Sequence, residues 1–569
     1  MNGMARLIQR QPGGRYTIRL NISIVYALLS VATAASFYWR IFERNALPLF
    51  WLPLLALVSL QAWEVIVLAR RDATHIVALV VSAVVVGILV NPEPFQLFGY
   101  DVYSEASFAQ SIVDTGKWDP TLGTAMARNY YGYYPCLHLI FGSLTLVTGL
   151  PVLSVFKYVA PLAVSVSVFA AAYFMFKRSF SIENAALATL IYVSSLGFVA
   201  VFPSRRATAL VFGALFIALL FREPRKFREG RSTVITATIL LGGLAFSDHF
   251  MGLIVLTATI SCLIILRILK SRSVSSSGFV VLLGGLVYAG WYVFTASLVF
   301  GTDVAKYVRF FADLFSQKIL AQHSLSMYGY VALERGVVLL AWGLFGLLAL
   351  FGWILLFLKR RENRPWVVWG AIGIVIFGAS TIMALHPDYA IVSTTLSWFG
   401  TLLLSALASL TVVKLSAWLP EKAKVVPLFL LMIMFSGAML SVYGARTLDR
   451  SPNEVCVVEE VRGYSSEQYT LGKWIKIHSE PSLSILGDFG SYALLSGYCG
   501  ISFVEDFSWP GRAPRPDEFK DVFVLDAETY FTCKSVVWKD VDPTLVESLG
   551  SLNRLWDGGT WRLLTAPPR

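Results

Sequence analysis

Charge is what this sequence has little of. Asp, Glu, Lys and Arg together make up 15% of it, against roughly 25% in a soluble domain. That excludes an ordinary water-soluble protein. Cysteine is scarce too: there are five in 569 residues, and none has the spacing of a metal site, which excludes a zinc module or a disulfide scaffold. Cys136 and Cys262 stand in apolar surroundings, while Cys456, Cys499 and Cys533 share the C-terminal segment. One disulfide among those three stays open if that segment faces an oxidising compartment. No period of 20–50 residues recurs, and no low-complexity tract is present, which sets aside solenoids and propellers. No cleavable signal peptide is evident: Arg6, Arg10, Arg15 and Arg19 precede an apolar run too long for a signal h-region, so the start reads as a signal anchor.

What is present is apolar sequence in long runs, 56% of the chain. A helix needs roughly 20 apolar residues to cross a bilayer core. Candidate spans are 22–39, 47–69, 75–91, 155–176, 184–202, 207–221, 233–247, 250–269, 278–300, 335–358, 366–385, 389–412 and 426–445. The fold expected is an all-α polytopic membrane domain of about 13 transmembrane helices, over 1–445, followed by a small extracytoplasmic α/β domain over 446–569.

The net charge of +11 sits in short loops between the spans. Arg70–Arg71, Lys177–Arg178, Phe221–Arg231, Lys270–Arg272, Lys359–Arg364 and Lys422–Lys424 are all basic. That is the positive-inside pattern of membrane proteins, not a nucleic-acid surface. These loops share one side only if 135–149 does not cross the membrane. This segment begins with Pro135, contains Gly142 and Gly149, and is expected to lie at the interface. The N-terminus is then cytoplasmic. The outer side receives the loop 92–134, Arg205–Arg206, Asp248–His249, the loop 301–334, His386–Asp388 and the tail.

The tail changes character. Glu467–His478 has helical spacing. Leu483–Phe489, Gly500–Phe507, Asp521–Asp526, Ser535–Asp540 and Thr560–Ala566 read as short strands.

The longest polar interruption in the N-terminal half runs from Gly99 to Gly149. It carries Asp101, Glu105, Asp114 and Asp119, a cluster of Tyr130, Tyr131, Tyr133 and Tyr134, and His138. Asp101 and Glu105 are four apart, so a helix starting near Ser104 would put both carboxylates on roughly one face, with Asp101 just before it. A carboxylate at the lip of an apolar cavity has the makings of a general base or a cation ligand. Tyr134 and His138 are expected on one helix face toward the same loop. Aromatic faces and hydroxyls beside carboxylates suit a sugar ring. Arg205 and Arg206 stand at an outer boundary against the positive-inside bias, and Arg binds phosphate bidentately. His323 and Arg335, in the second outer loop and at its end, suit the same task.

The order GYDVYSE, IVDTGKWDP and YYGYYPCLHLIFGSLTLVTGLPV resembles the first outer loop of GT-C superfamily membrane glycosyltransferases. These include oligosaccharyltransferases, protein O-mannosyltransferases and aminoarabinose transferases. The chain departs from their pattern at Cys136, where a second proline is common, and in having two further spans before the motif. The resemblance implies Asp101 as a catalytic or metal-binding carboxylate and 135–149 as an interfacial helix. It also implies a role for a second polar motif at Asp248 and His249.

The activity implied is transfer of a sugar from a polyprenyl-phosphate donor to a lipid, glycan or protein acceptor at the outer membrane face. Asp101, Asp248 and His249 are the expected catalytic residues. Glu105, Tyr131, Tyr134, His138, Arg205, Arg206 and Arg335 are the expected substrate contacts. A divalent ion, Mg2+ or Mn2+, is left open at Asp101 and Asp248, since carboxylate oxygens suit either. Two other classes compete: a transporter or lipid flippase, and a non-enzymatic envelope assembly protein. A transporter places polar groups mid-span. Here the middles of the spans are nearly free of acidic residues, Glu64 being the main exception.

Overall fold

The computed structural model describes residues 101–120, 132–195, 203–220, 231–269, 277–297, 332–383, 390–420, 425–439 and 466–478, a short hairpin near the N-terminus, five C-terminal strands and isolated positions elsewhere. The expected spans 22–39, 47–69 and 75–91, most of the loop 301–334, and the cysteines of the tail lie outside the described residues. So do the side chains of Asp101 and Arg335.

The hairpin pairs β1 (Ile8–Arg10) with β2 (Tyr16–Ile18). Helices then follow in series: α1 (Asp101–Thr115), α2 (Cys136–Thr148), α3 (Val152–Lys177), α4 (Ile182–Ser195), α5 (Arg205–Leu220), α6 (Arg231–Ser247), α7 (His249–Ile268), α8 (Ser277–Gly290), α9 (Ala332–Leu358), α10 (Arg360–Met383), α11 (Ala390–Trp418) and α12 (Val425–Met439). Among the described residues, five stretches are long and apolar enough to cross a membrane: Val152–Lys177, His249–Ile268, Leu339–Leu358, Arg364–Met383 and Thr395–Trp418. The chain is an integral membrane protein.

Sequence explains why α2 stays out of that set. Pro135 precedes it, and Gly149 ends it in the left-handed region at φ 70°, its N–H reaching back to Thr145 O at 2.8 Å. Its 13 residues give a helix about 20 Å long at 1.5 Å per residue, short of the roughly 30 Å of a bilayer core. It buries Leu137, His138, Phe141, Gly142 and Thr145 and leaves Leu139, Ile140, Leu146 and Val147 exposed. The buried stripe packs on α1, whose own buried face is Val102, Tyr103, Glu105, Ala106, Phe108, Ala109 and Ile112. The helices cross at Gly142, where a Cβ would lie 3.2 Å from the carbonyl oxygen of Ala109. Contrary to the expected start near Ser104, α1 begins at Asp101. An acidic residue suits a helix's first turn as well as its cap, so composition alone does not separate the two.

α5 packs between α3 and α6, while α11 packs against α4, α9 and α10. In α11, Thr401, Ser405 and Ser416 turn their hydroxyls onto carbonyls of their own helix, and Thr411 reaches Leu348 O of α9 at 2.6 Å. Early in α3, Pro161 lacks the N–H that the Lys157 carbonyl needs. The chain widens into a π turn over Val155–Val159, with Ala160 N–H on Val155 O. That turn carries Lys157 inward, where it is buried.

Two ends of the bundle differ in chemistry. At one end α2 meets the start of α5 and the end of α6, and Trp291, at the close of α8, meets the loop before α2. At the other, Arg364 donates to Leu269 O at 3.0 Å and Trp366 packs on Phe180, close in sequence to Lys177, Arg178, Arg267 and Lys359.

In the tail, α13 (Ser466–His478) precedes β3 (Ser484–Gly487), β4 (Ser502–Asp506), β5 (Val522–Ala527), β6 (Asn553–Asp557) and β7 (Trp561–Thr565). They form a sheet of order β4-β3-β5-β7-β6, parallel on the β4–β3–β5 side and antiparallel where β7 pairs with β5 and β6. The strand expected at Ser535–Asp540 lies outside the described residues, and β6 was not anticipated.

Candidate active site

The site is assembled from three helix ends. Glu105 is one turn into α1, His138 lies in the first turn of α2, and Arg205 opens α5. All three are buried, with His138 fully so. The His138 imidazole Nε2 hydrogen-bonds Glu105 Oε2. Arg205 Nε donates to Glu105 Oε1 at 3.0 Å. The carboxylate is thus met once on each oxygen. Burial pushes the Glu105 carboxyl up, but the Arg205 charge, the hydrogen bond and electrostatic attraction of His138 and the hydrogen bond from Arg205 outweigh it and hold the group below its ordinary value.

An aromatic wall continues from this centre. The Arg205 guanidinium lies over the Tyr134 ring, 5.9 Å from its centroid. Tyr134 packs on His249, with ring centroids 5.0 Å apart, and His249 on Tyr292 at 6.0 Å. The Tyr288 hydroxyl donates to the His249 carbonyl. Gly252 makes room for that ring, since a Cβ there would lie 2.6 Å from Tyr288 Cε2. Asp248 is buried at the break between α6 and α7, and its Oδ1 accepts the Met251 N–H at 2.7 Å, an N-cap that sets the direction of His249.

Two indoles pin the loop before α2. Trp118 Nε1 donates to Gly132 O at 2.8 Å, and Trp291 Nε1 to Tyr133 O at 3.0 Å. The two rings stack with centroids 5.7 Å apart, and Phe246 packs on Trp291 at 4.4 Å. Gly132 passes so near Pro120 that a Cβ would lie 2.7 Å from the proline's carbonyl oxygen.

Of the residues singled out from sequence, the structure brings together Glu105, Tyr134, His138, Arg205 and His249. Asp248 supports this group from the cap of α7, and Arg206 follows Arg205, partly exposed. Tyr134 joins the site from the turn before α2, so it does not share a helix face with His138 as expected; the helix starts at Cys136. Asp101 opens α1 one turn before Glu105, and Arg335 lies in the first turn of α9. Tyr131 and His323 lie outside the described residues. The central place of Glu105 was not foreseen. Its signal was a charged residue within the stripe Val102, Ala106, Ala109, Ile112, an apolar helix face. Trp118 and Trp291 were missed as well.

Among the described residues no three His, Cys, Asp or Glu side chains gather as metal ligands. Of the two carboxylates expected to share a divalent ion, Asp101 has its side chain outside the described residues, and Asp248 places one oxygen on the cap of α7.

The architecture matches solved structures over most of its length. The archaeal oligosaccharyltransferase AglB from Archaeoglobus fulgidus, in complex with an inhibitory peptide and a dolichol-phosphate, is 11% identical; the match covers 90% of this chain and 74% of that one, with a TM-score of 0.52. ArnT from Cupriavidus metallidurans in the apo state is 14% identical over 87% of this chain and 100% of that one, with a TM-score of 0.50. The A. fulgidus oligosaccharyltransferase in complex with Zn and sulfate is 10% identical over 90% and 73%, with a TM-score of 0.50. No protein-family model and no curated protein sequence matches the chain. Both neighbours are GT-C superfamily membrane glycosyltransferases, and this chain has the GT-C fold.

Proposed function

We propose that the protein is a GT-C glycosyltransferase that moves a sugar from a polyprenyl-phosphate donor to a lipid, glycan or protein acceptor at the outer membrane face. The observation that carries this reading is Arg205: a buried cation at the start of α5, held by Glu105 and lying over the Tyr134 ring. A phosphate at a membrane boundary calls for such a group. The dolichol-phosphate bound by AglB supports the donor class. The basic residues at the opposite end of the bundle favour a cytoplasmic N-terminus.

In this reading Asp101 is the general base that takes the acceptor's proton as the nucleophile attacks the sugar's anomeric carbon. Arg205 and Arg206 offset the charge that develops on the departing prenyl phosphate. Tyr131, Tyr134 and Arg335 contribute to the substrate surface. Asp248 fixes the end of α7 and so presents His249 to the aromatic wall. The extracytoplasmic domain over 446–569 is proposed to bound the acceptor side.

The test is sugar transfer from a radiolabelled polyprenyl-phosphate hexose by protein in liposomes. Asp101→Asn is expected to lower the rate by about 10²–10⁴-fold while insertion and thermal stability stay as in the wild type. An Asp101→Asn protein with unchanged transfer would remove the base assignment. Wild-type protein that moves no sugar but equilibrates the lipid between leaflets would replace the enzyme with a flippase.

A further inference from the structure

We propose that Trp291 is a positioning residue for the transfer step. Its indole N–H holds the turn that carries Tyr134 into the site, and through that ring it sets the place of the Arg205 guanidinium. The kinetic half rests on the glycosyltransferase reading above; the clamp itself stands on the geometry.

Beyond Gly290 the helix α8 widens into a π turn over Trp291–Thr295, closed by Ala296 N–H on Trp291 O at 3.0 Å. Turns of this kind recur at functional sites. Three aromatic side chains here reach two other elements. Trp291 Nε1–H donates to Tyr133 O at 3.0 Å. Tyr292 packs on the His249 ring, and the Tyr288 hydroxyl donates to the His249 carbonyl. One helix end thus binds both the residue before Tyr134 and His249 itself, whose rings meet with centroids 5.0 Å apart.

The turn 132–135 belongs to no helix or strand, and Pro135 has no N–H to give. Side chains hold two of its carbonyls instead. Trp118 Nε1–H serves Gly132 O at 2.8 Å and Trp291 serves Tyr133 O. The two indoles stack at 5.7 Å, and Phe246 closes on Trp291 at 4.4 Å. Successive carbonyls are therefore held by one stacked pair. A shift of the Tyr133 carbonyl moves the Tyr134 backbone with it, and the buried Tyr134 ring lies under Arg205, 5.9 Å from its guanidinium. In the glycosyltransferase reading Arg205 acts on the leaving phosphate, where charge grows as the bond breaks. Displacing a group that acts in this way lowers kcat more than it raises KM. A tryptophan placed only for its affinity for the head-group region would not do so.

The experiment uses the full-length chain in nanodiscs. Trp291→Phe keeps an aromatic ring in the stack and removes the N–H. Trp353→Phe is the control, because its indole makes the same kind of bond, to Val367 O at 2.8 Å, between α9 and α10. Amide hydrogen exchange over 132–136, read by mass spectrometry without substrate, is expected to speed up about tenfold in Trp291→Phe and to stay as in wild type in Trp353→Phe. Transfer from a polyprenyl-phosphate hexose is expected to show kcat down about tenfold in Trp291→Phe with the donor KM within about twofold. Trp353→Phe should keep both constants at a comparable loss of thermal stability. Trp118→Phe, which takes the donor from Gly132 O, should follow Trp291→Phe, and it reads the same turn where Trp291→Phe does not insert. Unchanged exchange at 132–136 overturns the clamp. Faster exchange with kcat as in wild type overturns the positioning role. So does a raised KM with kcat intact, or an equal loss of kcat in Trp353→Phe. Wild-type protein that transfers no sugar overturns the function proposed above and the kinetic half with it, and the clamp is still decided by the exchange.

Discussion

Glu105→Gln is the perturbation that bears most directly on the site. Glu105 accepts on both oxygens, from Arg205 on Oε1 and His138 on Oε2. Glutamine offers one oxygen and one NH2 group. Its single oxygen can serve only one of the two neighbours as an acceptor, and Arg205 becomes a buried cation without its counter-charge. The two side chains are 4% and 10% exposed, so solvent screens the pair little. Breaking such a pair from one side costs about 3–5 kcal/mol. Unfolding by SDS titration from mixed micelles measures this. A double-mutant cycle with Arg205→Met isolates the coupling, expected at about 2–3 kcal/mol, because the double variant buries no lone charge. The pH dependence has a definite sign. Glu105 is held below its ordinary value of 4.5, so its stabilisation is fully present above that value and is lost as pH falls through the lower, native-state one. Wild type and Glu105→Gln should differ at neutral pH and converge in acid. A Glu105→Gln protein within about 0.5 kcal/mol of wild type at neutral pH would refute the reasoning.

Two further expectations follow from the geometry. Asp248→Ala should cost about 1 kcal/mol and speed hydrogen exchange in the first turn of α7, whereas Asp248→Asn keeps the cap and should keep both stability and transfer; loss of transfer in a stable Asp248→Asn protein would return a charge-dependent role to this carboxylate. Gly142→Leu drives a side chain into the Ala109 carbonyl and should destabilise by about 1–3 kcal/mol, with Gly142→Ala milder, as thermal unfolding in detergent would show.

Much of the bundle was legible because lipid imposes one rule on every span: long apolar runs between basic loops. That rule also set 135–149 apart, since only an interfacial segment puts the basic loops on one side; the structure makes it a helix of 13 residues. The strands at 484–487, 502–506, 522–527 and 561–565 fall inside runs of β-branched and aromatic residues. The site was less legible. Arg205 was marked as a cation in the wrong place, but its partner lies 100 residues away, and Trp291 meets Tyr133 across 158. No local pattern encodes such pairings. Asp248 was taken for a catalytic group because an acidic residue beside a histidine invites it. The same residue before an apolar helix is also a cap, which the structure shows, and a cap on one carboxylate oxygen does not exclude the other role.

The short helix α2 has a further consequence. One side of it carries His138 into the site, and the other exposes Leu139, Ile140, Leu146 and Val147. Both flanks belong to one 13-residue helix, so a change that tilts or slides α2 on its aliphatic side would also move the His138 end of the Glu105–His138–Arg205 junction.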